Sequence, residues 1–129
     1  MNKEILLVDD DAVTNFVNQT IMESKFPGIP IKLFYNGSVA MQYILKNTDK
    51  NFLVFLDLNM PVMSGWEFLK ALEGKKAELN IEIHILTSSI DPGDQEHAAK
   101  FPLVSSFLVK PLDETILEGI LHKIVKNEM

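Results

Sequence analysis

Phe52-Leu53-Val54-Phe55-Leu56-Asp57, an unbroken apolar run ending on a carboxylate, decides the fold. It is one of four such runs. Ile5-Leu6-Leu7-Val8 leads into Asp9-Asp10-Asp11, Ile81 to Leu86 leads into Thr87-Ser88, and Phe107-Leu108-Val109 leads into Lys110-Pro111. Continuous rather than alternating apolar runs suit strands buried on both faces, as in parallel sheets. If the runs are parallel, their carboxyl ends share one edge, where open α/β sheets bind ligands. That edge then gathers carboxylates, a hydroxyl and an ammonium.

Between the runs lie amphipathic segments. Val13, Phe16, Val17, Thr20 and Ile21 follow a helical period after strand 1, ended by Lys25-Phe26-Pro27-Gly28. Ile31 to Tyr35 reads as strand 2, followed by a helix carrying Val39, Ala40, Tyr43 and Ile44. Pro61 to Gly65 reads as a loop, and the helix behind it turns Phe68, Leu69 and Leu72 inward. Asp91-Pro92 is an N-cap and first-turn pair. The helix it opens, about Pro92 to Phe101, is weak, with mainly Ala98, Ala99 and Phe101 for a core. Strand 5 is short, and the last helix carries Ile116, Leu117, Ile120, Leu121, Ile124 and Val125. Five strand–helix units predict an α/β fold with helices on both faces of a parallel sheet.

Composition narrows the function. The chain has 129 residues, one domain's worth, with a net charge of −6 and no cysteine, which excludes disulfides, thiol nucleophiles and cysteine zinc sites. All its basic residues are lysines, and they are scattered. Without the guanidinium fork or a basic patch, nucleic-acid binding is not expected. No apolar run approaches a membrane span, and no signal-peptide pattern opens the chain, so a cytoplasmic location with no membrane partner is expected. His84, His97 and His122 lack metal-ligand spacing.

Asp11, just ahead of a helix, is most simply an N-cap. Asp9 and Asp10 repel each other as neighbours, which solvent or a cation must offset. Mg²⁺ fits, since it takes oxygen ligands and retains waters and phosphate oxygens. Asp57, on a central strand, suits a metal ligand and also a nucleophile that forms an acyl-phosphate. Thr87 and Lys110 are then phosphoryl ligands.

The four ordered signatures Leu7-Val8-Asp9-Asp10, Leu56-Asp57-Leu58-Asn59-Met60-Pro61-Val62-Met63-Ser64-Gly65, Thr87-Ser88-Ser89 and Lys110-Pro111 resemble those of response-regulator receiver domains over essentially the whole chain. The resemblance implies a flavodoxin-like (βα)5 three-layer sandwich with a five-stranded parallel sheet of order 2-1-3-4-5. It implies that Asp57 accepts the phosphoryl group. Asp10, Asp57 and the backbone carbonyl of Asn59 would ligate Mg²⁺, with Asp9 acting through water. Thr87 and Lys110 would contact the phosphoryl oxygens, and the Lys110-Pro111 bond would be cis. Phe107 stands at the switch-aromatic position, where many receivers have tyrosine. Asn59 and Ser89 occupy positions that tune dephosphorylation.

Residues 1–129 are thus expected to be one receiver domain without an output domain, a monomer or weak dimer, and not an enzyme beyond its own phosphorylation and dephosphorylation. The expected donor is a sensor histidine kinase or a histidine phosphotransfer protein. Output would pass on the phosphoryl group or reach a protein target through the face of helix 4, strand 5 and helix 5. Two other readings compete. One is a phosphorylation-independent binding module of receiver fold, although the chain keeps every acidic residue and the lysine. The other is a haloacid-dehalogenase-like phosphatase using Asp9 as nucleophile and Asp11 as acid, which leaves Asp57 and its loop unexplained.

Overall fold

In the computed structural model, which describes residues 3–115 and 117–120, β1 (Lys3–Val8), β2 (Ile31–Phe34), β3 (Asn51–Leu56), β4 (Asn80–Thr87) and β5 (Val104–Val109) form one sheet of order β2-β1-β3-β4-β5. All four pairings are parallel. The order places β1 and β3 centrally, and there the continuous apolar runs are needed. Ile5 to Val8 and Phe52 to Leu56 are all 2% exposed or less.

Helices α1 (Ala12–Lys25), α2 (Gly37–Lys46), α3 (Gly65–Glu73) and α4 (Pro92–Ala98) alternate with the strands, and a 3₁₀ turn spans Lys76–Glu78. Alternate residues of a strand face opposite sides, so each strand feeds two cores. Leu6, Val8, Val54, Leu56, Ile83 and Ile85 pack under α2, α3 and α4. Ile5, Leu7, Leu53, Phe55, Leu86 and Leu108 pack against Met22 of α1 and against Leu117 and Ile120. This is the expected three-layer flavodoxin-like sandwich. Of the last helix's stripe, Leu117 and Ile120 are buried, whereas Ile116, Leu121, Ile124 and Val125 lie outside the described residues.

Three details differ from the sequence expectations. Strand β5 runs six residues rather than being short, and α4 ends at Ala98, three residues early. The third concerns α1. Its periodic apolar stripe faces outward, with Val13 71%, Phe16 66% and Val17 48% exposed. Asn15, Asn18 and Met22 are the buried face instead. The reason is a polar one. The Asn15 amide donates to the backbone carbonyls of Asp9 at 2.9 Å and Phe34 at 3.2 Å. The Phe34 carbonyl also accepts from the Asp9 N–H, so it is chiefly the Asp9 carbonyl that Asn15 serves; leaving it unmet inside a protein is costly, and meeting it fixes the helix's rotation.

At the sheet's other end, Glu4 is buried and tied to the Tyr43 hydroxyl and to Lys50, whose ammonium lies 2.6 Å away. Burial alone would raise the Glu4 carboxyl, but the hydrogen bonds from Lys50 and Tyr43 outweigh it and hold the carboxyl below its ordinary value. The network pins β1 to α2 and to the turn before β3, far from the carboxyl edge.

Candidate functional site

Parallel pairing brings the four strand ends together. Ligand oxygens of Asp9, Asp10 and Asp57 all lie within 4.8 Å of one another, with Asp9 and Asp57 buried and Asp10 exposed. Asp57 is 6% and Asp9 5% exposed. Lys110 reaches in from the end of β5, its ammonium 2.6 Å from Asp9 Oδ2 and 3.5 Å from Asp57 Oδ2. The Lys110-Pro111 bond is cis, and the Lys110 N–H donates to the Thr87 carbonyl at 2.8 Å, tying the ends of β5 and β4.

The two buried carboxylates are not equivalent. Asp9 has both oxygens engaged, Oδ2 by Lys110 and Oδ1 by the Asp11 N–H at 2.9 Å. Among the described residues, Asp57 Oδ1 accepts only a long contact from the Asn59 N–H, 3.4 Å. Asp57 is the carboxylate with an oxygen to spare. Burial pushes the Asp9 carboxyl above its ordinary value, and the charge of Asp57 adds to this against the pull of Lys110 and the Asp11 N–H. For Lys110, burial works downward but is overcome by the hydrogen bond to Asp9 and the charges of Asp57 and Asp9, so the ammonium is held above the ordinary lysine value. Three carboxylates facing one ammonium suit a hard divalent cation. The donor set is all oxygen and open on the Asp10 side, where waters can complete an octahedral shell.

Asp11 accepts from the Val13 and Thr14 N–H groups and is the N-cap of α1. Mg²⁺ titration of variants separates the roles: Asp10→Ala is expected to lose most of the affinity and Asp11→Ala to leave it nearly intact. Equal losses would make Asp11 a ligand rather than a cap.

Thr87 is fully buried. It shares strand parity with Ile85, the register partner of Phe107, so Thr87 and Phe107 lie on the same face of the sheet, toward α4. The Thr87 hydroxyl accepts from the Ser89 N–H at 3.3 Å, and the Ser89 hydroxyl bonds Asp94 in the first turn of α4 at 2.5 Å. Phe107 is half-buried, beside a groove of about 300 Å³ between α4 and β5.

The loop from Pro61 to Ser64 carries one strained residue. Val62 has φ 70° and is 84% exposed. A β-branched side chain in the left-handed region is an outlier, at a cost of about 1–2 kcal/mol. Glycine adopts that region freely, although it gains more freedom on unfolding. Val62→Gly is therefore expected to raise stability by about 1 kcal/mol net, read as a higher melting temperature. A lower one would mean that the valine side chain packs productively.

Other contributors were not flagged by the sequence. Asn15, which holds the Asp9 carbonyl, is one; its signal is an amide out of phase with an apolar helical stripe. Trp66 and His97 are another pair, their rings stacked with centroids 4.2 Å apart and bridging α3 to α4. Isolated aromatics on two separate helices give no pattern that pairs them in advance.

The family model of the response regulator receiver domain matches residues 5–122. Two-component response regulator 24 of Arabidopsis thaliana is 32% identical over 92% of this chain and 81% of its own length. Hybrid signal transduction histidine kinase M of Dictyostelium discoideum is 28% identical over 96% of this chain, which spans only 5% of that protein. The chain likewise spans 16% of the 3',5'-cyclic-nucleotide phosphodiesterase regA of the same organism. Among solved structures, a two component response regulator from Cytophaga hutchinsonii superposes with a TM-score of 0.83 at 26% identity, covering 96% of this chain and 97% of that one. The Vibrio cholerae chemotaxis protein CheY4 gives 0.77 at 25% identity, covering 95% and 98%.

Proposed function

The chain belongs to the response regulator receiver domain family, and from that premise we propose that it is the phosphoacceptor of a two-component phosphorelay, taking a phosphoryl group onto Asp57 from a phosphohistidine donor. One observation carries the reading. Asp57 is buried among two further carboxylates and an ammonium, yet keeps an oxygen lightly engaged. That oxygen forms the new O–P bond as the donor's P–N bond breaks, and the electron pair of that bond returns to the imidazole. Lys110, already 3.5 Å from Asp57, neutralises charge on the transferring oxygens, the main need in phosphoryl transfer. Asp10, Asp57 and the Asn59 carbonyl would hold Mg²⁺, with Asp9 behind a water. The cation would supply further neutralisation of the phosphoryl oxygens. Among the described residues no helix is long and apolar enough to cross a membrane.

Output follows from the Thr87 side. The phosphoryl group adds roughly −1.5 to −2 charge beside a buried hydroxyl, and drawing Thr87 toward it breaks the Ser89 N–H contact. Ser89 in turn holds the start of α4 through Asp94. That helix buries only Ala98, so beyond the stacking of His97 on Trp66 little resists its displacement. Phe107 turns into the space Thr87 leaves and reshapes the groove between α4 and β5, part of the face of helix 4, strand 5 and helix 5 to which a protein target binds.

Beryllofluoride with Mg²⁺ tests both halves. It is expected to bind the wild type and to shift amide resonances across residues 87–109. It should also change the emission of Trp66, the sole tryptophan, whose ring stacks on His97 of α4. Binding with shifts confined to the carboxylate edge would sink the switch and leave the phosphoacceptor standing. No binding would favour a phosphorylation-independent module.

A further inference from the structure

Helix α4 buries only Ala98, so whatever else ties it down governs how readily it moves. One lateral tie, to α3, is aromatic. The His97 ring lies over that of Trp66, with centroids 4.2 Å apart and planes 11° from parallel. Phe101, just past the helix, completes the cluster at 5.6 Å from His97 and 6.2 Å from Trp66. His97 is exposed and Trp66 half-buried. The imidazole can therefore exchange a proton with solvent while it stays on the indole.

A stack of two rings holds whether or not the imidazole is charged. The charged ring gains in addition from the indole face, the strongest of the aromatic cation sites. Imidazole is also the side chain that ordinarily changes charge between about pH 5 and 8. No neighbouring charge dominates. On α4 and the turn after it, Asp94 and Lys100 lie one turn to either side with opposite signs, and Asp94 is already bonded to Ser89. Glu96 is adjacent in sequence, a spacing that does not face His97. On α3, Glu67 is held by the Ser64 N–H, and Lys70 stands one turn beyond Trp66. Among the described residues His97 has no ion pair. The indole face is thus the partner that registers its charge.

We infer that the His97–Trp66 stack is a proton-operated latch on α4: charged, the imidazole holds the helix in its resting place against α3, and uncharged it lets the helix go. The inference rests on the switch reading above, in which phosphorylation displaces α4. The extra hold is present while the imidazole carries its proton and is lost as pH rises through its titration. Acid therefore opposes the switched state, and mild alkali favours it. Linkage makes the effect reciprocal, so displacing α4 drives a proton off His97. At an exposed site such a contact shifts an equilibrium by about twofold to fivefold, enough to grade the output without blocking it.

Beryllofluoride with Mg²⁺ is titrated into the wild type, His97→Gln and Trp66→Leu at about pH 5.5 and about pH 8, following the amide resonances of α4. Trp66→Leu removes the indole face and leaves the imidazole. His97→Gln, at an exposed position, carries the test should Trp66→Leu fail to fold. Other pH-dependent groups are common to all three proteins and cancel in ratios of affinity, among them the site carboxylates and His84 with its bonds to Glu82 and Ser106. The ratio of wild-type to variant Kd is expected to be about twofold to fivefold larger at the acid pH. Trp66 emission gives a second readout. In the metal-free wild type it should fall as pH is lowered, since an imidazolium quenches an indole it stacks on, and it should stay level in His97→Gln. Equal Kd ratios at the two pH values would make the stack a pH-blind contact and overturn the latch. So would Trp66 emission that ignores pH. Beryllofluoride that binds but leaves α4 unmoved takes the switch reading and the latch down together, while Asp57 stands. If it does not bind at all, the phosphoacceptor reading fails with them.

Discussion

Asp57→Asn is expected to take up no alkali-labile, hydroxylamine-sensitive acyl phosphate from acetyl phosphate or any histidine donor, while folding at least as stably as the wild type. The first half follows from nucleophilicity: an amide oxygen does not form the acyl-phosphate that a carboxylate does. The second follows from the site's charge. Asp57 sits buried with Asp9, whose carboxyl burial pushes up and Asp57 pushes up further. Neutralising one of two adjacent buried carboxylates removes repulsion, and Lys110 keeps its 2.6 Å pair with Asp9. Loss of labelling with an unchanged or higher melting temperature in metal-free buffer therefore isolates the chemistry from folding. Mg²⁺ should also bind more weakly, because a ligand oxygen of the cluster has lost its charge. Undiminished labelling of the variant would move the nucleophile to Asp9, as in the phosphatase-like reading. The geometry argues against that outcome, since both Asp9 oxygens already accept hydrogen bonds.

Much of this site was legible in the sequence because a parallel sheet converts strand order into proximity. Once the runs ending at Asp9, Asp57, Thr87 and Lys110 are read as parallel strands, their last residues must share an edge, whatever the loops do. The strand cores were legible for the same reason: Ile5 to Val8 and Phe52 to Leu56 are apolar at every position, which only burial on both faces explains. Helix rotation was another matter. The stripe of Val13, Phe16 and Val17 marks a face correctly but does not say that the face is inward. The backbone carbonyls of Asp9 and Phe34 are brought side by side only after β1 and β2 have paired, and they are what draw Asn15 inside. The stretch of backbone at Val62 was equally hidden, because valine is a residue that composition would not place at positive φ. Its conformation is imposed by the loop that must bring Gly65 back against Asp57.

That return sets the second large effect. Gly65→Ala is expected to destabilise the fold by about 1–3 kcal/mol, the usual range for forcing atoms into a filled space, and to slow labelling of Asp57 sharply. Gly65 opens α3, and its N–H donates to the Leu58 carbonyl at 2.9 Å. A Cβ there would lie 2.6 Å from the Asp57 carbonyl oxygen and 2.7 Å from the Leu58 Cα. Both are backbone atoms, so no rotamer change relieves the contact. Neither side can retreat easily. On one side β3 is paired with β1 and β4 through its whole length. On the other, Phe68, Leu69 and Leu72 anchor α3 with no exposed surface. The strain is left to the segment between them, which carries the Asp57 carboxylate and the Asn59 carbonyl. A displacement of about 1 Å in such a site costs on the order of 10²-fold in rate. Thermal unfolding and acetyl phosphate labelling of the same preparation read both effects. Since Ser64 and Glu67 cap α3 reciprocally, the helix itself has no reason to unravel, and the rate should fall even at temperatures where the variant is fully folded. A variant that melts and labels like the wild type would mean that the loop has room the backbone geometry denies it.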